Sequence, residues 1–153
     1  MFGRFEEKEM NDTLNKGLIK LDDGALIETP GKVNAVFQGK PINFVDAIFY
    51  RVVFGQVDLA SADSELLEYQ IRIYIPHASQ AGQIFDFSKP GHTMMIGFKP
   101  SNNSHVFLSV VSGKLHLESY DGASGLAKGT FTDLKIDGSS QVIVESGSFE
   151  FPK

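Results

Sequence analysis

From Leu67 to Ile75 the chain alternates: Leu67, Tyr69, Ile71, Ile73 and Ile75 are apolar, and Glu68, Gln70, Arg72 and Tyr74 stand between them. A repeat of two puts successive side chains on opposite faces of a strand, whereas a helix needs a repeat near 3.6. The segment therefore reads as a half-buried strand with five inward residues. Ala47–Phe54 (AIFYRVVF) is apolar on both parities, broken only by Arg51, and reads as a central strand or one covered on both sides. Further strands are expected at Val33–Gln38, Gly82–Phe87, His92–Phe98, His105–Val111, Lys114–Tyr120, Gly129–Ile136 and Gln141–Phe151, with weaker candidates at Leu18–Leu21 and Ala25–Glu28.

Turn residues fall between these runs. Asp23-Gly24, Gly39-Lys40-Pro41, Lys89-Pro90-Gly91, Asn102-Asn103, Ser112-Gly113, Asp121-Gly122 and Asp137-Gly138 each supply positive φ or a fixed proline φ. Asp137-Gly138, between Phe131–Ile136 and Gln141–Val144, is a strong hairpin signal. In the last strand Val142 and Val144 share one parity and Phe149 and Phe151 the other. A bulge around Ser146-Gly147, or a crossing between sheets, must reconcile them.

Helix is scarce. Ala60–Glu68 (ASADSELLE) could hold one turn capped by Ser61 or Asp63, and Phe2–Leu14 carries a weak helical pattern stopped by Gly17. The expected organisation is an N-terminal tail or short helix over residues 1–16 and a single domain over 17–153. The expected fold is an all-β antiparallel sandwich of roughly 8–10 strands, with a closed, lipocalin-like barrel as the alternative.

Composition sets the outer bounds. The 153 residues are 42% hydrophobic and 22% charged, with no Cys and no Trp. A chain of this length buries roughly 70% of its unfolded surface, so a core forms without disulfides or metals. The net charge of −5 argues against nucleic-acid binding. No window is apolar for long enough to span a bilayer, and the N-terminus lacks the apolar stretch of a signal peptide. The expected location is cytoplasmic, or exported without a classical signal. An envelope location requires a leader outside this sequence.

The runs GKLHLESYD (113–121), GLAKGTFTDLKI (125–136) and VESGSFEF (144–151), with VNAVFQGKPINF (33–44) as an opening hairpin, resemble a group of small bacterial β-sandwich domains. Most are cell-envelope lipoproteins, largely without an assigned function. The resemblance covers about half the chain and implies the fold and an envelope context; it carries no catalytic residue over. Two departures stand out. Asp133 occupies the place of a second core aromatic, which unsettles the local register. No cysteine is present to accept a lipid.

Catalytic motifs are missing: there is no G-x-S-x-G, P-loop, G-x-G-x-x-G, H-E-x-x-H or C-x-x-C. No catalytic residue, cofactor or metal ligand is assigned. Of the four histidines, His77 lies in a turn, His92 and His105 open strands, and His116 shares a strand face with Glu118. There Glu118 would orient His116 as a base or ligand, and the plainer reading is a solvated face holding Lys114, His116, Glu118 and Tyr120. The acidic stretch Asp58–Glu68 carries oxygen ligands, but its spacing fits no EF-hand and it reads as a loop or short helix. Candidate ligand-binding residues are His116, Glu118, Tyr120 and Tyr74.

Three functions compete. The first is a non-enzymatic module that recognises a protein or glycan through loops or a sheet face. The second is a barrel carrier of a small apolar ligand, with a Phe- and Met-rich interior. The third is a hydrolase- or isomerase-type enzyme using strand-borne His and Glu. A homo-oligomer through an edge strand is also open.

Overall fold

The structure, a computed structural model, describes residues 25–52, 56–64, 69–98 and 106–152. Nine strands run through it: β1 Ala25–Phe37, β2 Lys40–Val52, β3 Val57–Ser64, β4 Tyr69–Pro76, β5 Gln83–Asp86, β6 Thr93–Phe98, β7 Val106–Asp121, β8 Leu126–Ile136 and β9 Val144–Pro152. Every pairing is antiparallel. The order is β5-β7-β6-β4-β3-β2-β1-β9-β8, and β8 pairs back onto β7. Eight strands thus close a barrel, and β5 lies beside the second half of β7, next to where β6 pairs with its first half. Of the two all-β arrangements the sequence allows, the closed barrel forms. No helix among the described residues is long and apolar enough to cross a membrane.

The alternating strand behaves as its pattern requires on the inner side. Ile71, Ile73 and Ile75 are essentially inaccessible, and Tyr69 stacks on Phe37 at 4.3 Å; Leu67 lies outside the described residues. Its outer side departs from expectation. Gln70 and Arg72 are buried as well, with Arg72 at 1% exposure, its Nε donating to Gln70 Oε1 at 2.9 Å and its guanidinium 3.9 Å from the Phe107 ring centroid. Packing of the flat guanidinium on an aromatic face lets this outward position be covered.

Three large rings fill the interior by lying over glycines of neighbouring strands. A Cβ on Gly31 would overlap the Phe151 ring, one on Gly129 the Phe149 ring, and one on Gly147 the Phe131 ring. Each of these rings is at most 1% exposed, and burying each contributes about 1.5–3 kcal/mol. The G-x-F spacing in the sequence is the trace of this packing.

Two expected elements are corrected. Ser112-Gly113 is not a hairpin turn: β7 runs straight through it as one 16-residue strand. Gly113, at φ +105°, instead absorbs a bulge that opposes Asp133, itself at φ +55°. Residues 57–64 are a strand, not a helical turn or acidic loop. Asp58, Ala60, Ala62 and Ser64 take the inward parity opposite Ile75, Ile73 and Ile71, and tertiary pairing overrides the helical propensity of the alanines. The parity reset in β9 falls beside Glu145, where the pairing jumps from Val36–Ser146 to Phe37–Val144, so Val144, Phe149 and Phe151 all face inward. The weak candidate at 18–21 lies outside the described residues, as do residues 1–16.

Candidate functional site

Of the four candidate residues, β7 carries three, and a bulge divides them. Leu115 and Leu117 point inward at 0% exposure, so plain alternation would put Tyr120 outward with His116 and Glu118. The β7–β8 register shifts between Leu117 and Ser119, and Tyr120 comes to lie opposite the inward Ala127. His116 and Glu118 stay exposed on the outer face. The expected common face of Lys114, His116, Glu118 and Tyr120 is therefore broken after Glu118. Tyr74 sits on the outer side of β4 beside Arg72, away from both groups.

The outer face around His116 is ordered by register. Asn43 pairs with Asn34, Asn34 with Ser148, Ser148 with Thr130 and Thr130 with His116. These five residues form one transverse row over β2, β1, β9, β8 and β7. At the usual interstrand spacing the row spans about 19 Å. All five offer amide, hydroxyl or imidazole groups. One neighbouring row holds Lys32, Glu150 and Lys128. The row on the other side holds Val36, Ser146, Thr132 and Lys114. Under Asn34, Asn43, Ser146 and Ser148 lies an open groove of about 420 Å³ that also touches Val36 and Pro41.

The inner end of the barrel carries different chemistry. Asp58 is completely buried. Its Oδ2 accepts from Arg51 Nη1 at 3.0 Å and from the Tyr120 hydroxyl at 2.5 Å, and its Oδ1 contacts His77 Nε2 at 3.0 Å. Arg51 and Asp58 are register partners across β2 and β3. His77 follows the end of β4, where its backbone N–H bonds Gln56. A Cβ on Gly122 would overlap Arg51 Nη1, Asp58 Oδ2 and the Tyr120 hydroxyl, so only glycine lets the 3-10 turn Gly122–Ser124 close over them. Burial, then the hydrogen bond and charge of Asp58, push the Tyr120 phenol well above its usual range, against an opposing effect of Arg51. Tyr120 is thus held as a proton donor. In the sequence Arg51 shows only as a break in an apolar strand, Asp58 as part of an acidic stretch and His77 as a turn histidine, and none of the three stands out as a site residue. A signal was present: Arg51 shares the parity of Ala47 and Phe49, so a strand buried on that side places its charge inside.

The described histidines do not converge. His77 is at the inner cluster, His116 is on the outer face, and His92 stacks on Phe85 at 4.1 Å. Among the described residues no group of His, Asp and Glu could hold a metal ion. No protein-family model, curated protein or solved structure matches this chain.

Proposed function

We propose that the protein is a non-enzymatic binding module that takes a neutral glycan along its outer sheet face. The observation that carries this reading is the row Asn43–Asn34–Ser148–Thr130–His116, five hydrogen-bonding side chains in register, the first three of which line an open groove. Amides and hydroxyls held by a rigid sheet match the alternating donors and acceptors of sugar hydroxyls, and their spacing suits an extended oligosaccharide. Beyond His116 the row ends on Ile84 of β5, which is 55% exposed and supplies one apolar contact at the end of the polar stretch. The carrier reading has less support: the inward rings of Phe49, Phe131, Phe149 and Phe151 fill the barrel where it is described. The grooves beside Asn34 and beside Gly31 are open to solvent.

The test is a titration of the full chain with cellotetraose, maltotetraose and chitotetraose, followed by amide NMR. The reading requires saturable shifts at Asn34, Asn43, Thr130, His116 and Ser148 with at least one sugar. It also requires binding about fivefold or more weaker in Asn34→Ala, the loss expected for one hydrogen-bonding group. Silence with all three sugars, or shifts confined to other faces, would overturn it.

A further inference from the structure

We infer that the glycan of the outer face is branched, and that its branch enters a second groove along the seam between β1 and β9; the inference rests on the glycan reading above. The seam opens where its ladder runs out of donors. Lys32 and Glu150 are the last register partners of β1 and β9 at this end. Two residues further along, each strand carries a proline, Pro30 on β1 and Pro152 on β9. Proline has no N–H, so neither residue can donate across the seam. Pro30 is paired instead with Ile48 of β2, and Pro152 with Leu126 of β8. Where the pairing stops lies an open groove of about 320 Å³, lined by Pro30, Gly31, Lys32, Glu150 and Pro152.

This lining suits a sugar ring. Pro30 and Pro152 are exposed and present apolar rings to the C–H face of a pyranose. Lys32 and Glu150 are exposed too, and offer ammonium donors and carboxylate acceptors to its hydroxyls. The groove adjoins the polar row, because Lys32 and Glu150 stand two residues from the Asn34–Ser148 pair on the same outward side. From Asn34 to Pro30 the seam covers about 13 Å at the usual rise per residue. The two directions decide the shape of the ligand. The row crosses the strands, whereas this groove runs along them. A linear chain laid on the row passes the groove by. A chain with a short side branch where it crosses Asn34 and Ser148 occupies both.

The experiment compares linear and branched sugars on the full chain. Cellotetraose, maltotetraose and chitotetraose are each set against the same backbone bearing a xylosyl, glucosyl or fucosyl branch respectively. Calorimetric affinities and amide shifts are read together. For at least one backbone the branched sugar is expected to bind about fivefold or more tighter than the linear one, with added shifts at Gly31, Lys32 and Glu150. Lys32→Ala and Glu150→Ala should each remove most of that gain and leave the affinity for the linear sugar unchanged. Both residues are exposed, so both variants are expected to fold as wild type. A linear sugar that shifts the row, with a branched form that binds no tighter, overturns the branch and leaves the outer-face reading standing. A gain that survives both substitutions overturns the groove as its seat. Silence with every sugar overturns the outer-face reading and this inference together.

Discussion

The Tyr120 hydroxyl donates to the buried Asp58 carboxylate over 2.5 Å, joining residues 62 positions apart in the chain. The bond exists because a bulge after Leu117 turns Tyr120 into the barrel. The same Asp58 oxygen holds Arg51 Nη1, so one carboxylate ties β2, β3 and β7 together at the barrel end.

Removing the phenolic proton donor should therefore cost stability without collapsing the fold. Tyr120→Phe is expected to lose about 1–3 kcal/mol, the range for a buried acceptor deprived of one partner. Asp58→Ala should lose more, about 3–5 kcal/mol, because it strands the arginine beside a closed turn. Urea unfolding of the three proteins measures both. Equal stability of wild type and Tyr120→Phe would show that the bond contributes nothing.

Alkaline pH should act through the same residue. The folded-state phenol titrates above its ordinary value of 10.0, so above about pH 10 the unfolded chain loses this proton first. Stability from Tyr120 is present below that pH and declines as pH rises beyond it. The unfolding midpoint of wild type should then fall more steeply than that of Tyr120→Phe. Parallel curves would contradict the shift.

His92 behaves in the opposite sense. It stacks on Phe85 and its buried Nδ1 has no partner, and burial holds its pKa below the usual 6.5. The neutral ring is the folded form. Its contribution is present above about pH 6.5 and is lost as pH falls through the lower folded-state value. An NMR titration should place the His92 midpoint below 6.5, and His92→Gln should flatten the acid limb of stability. A midpoint at or above 6.5 would sink this account.

Two glycines with the same backbone sign should respond differently. Gly113 and Gly138 both have positive φ, but a Cβ on Gly113 would strike the carbonyl oxygens of Thr132 and Asp133, while Gly138 has open space. Gly138→Ala should cost about 1 kcal/mol of backbone strain and Gly113→Ala clearly more, about 2–4 kcal/mol. Thermal unfolding ranks them, and equal losses would mean that the bulge yields.

The outer row should be dispensable for folding. Asn34 and Asn43 are exposed, and Asn34→Ala and Asn43→Ala should each leave stability within about 0.5 kcal/mol of wild type. A larger loss in either variant would assign that amide a structural role.

Much of the barrel wall is legible in local sequence. The isoleucines of β4 announce an inward face, and the parity conflict between Val144 and Phe149 announces a bulge close to where β9 has one. The G-x-F runs record rings packed on glycines of neighbouring strands. β3 escaped because Ala60 and Ala62 are small, helix-compatible residues, and only pairing with β2 and β4 makes them a strand. Tyr120 was legible as a candidate residue but not its direction, since its parity depends on one register slip.

The sequence by itself determined an antiparallel all-β chain, because period-two patterning and turn chemistry are local properties. Of the outer row it marked only His116. Tertiary structure alone decided that the strands close into a barrel, through the β7–β8 pairing. It alone brought Arg51, Asp58, His77 and Tyr120 to one point and set Asn34 in line with His116. Closure and register depend on contacts between strands far apart in the chain, and no local pattern encodes which strand meets which.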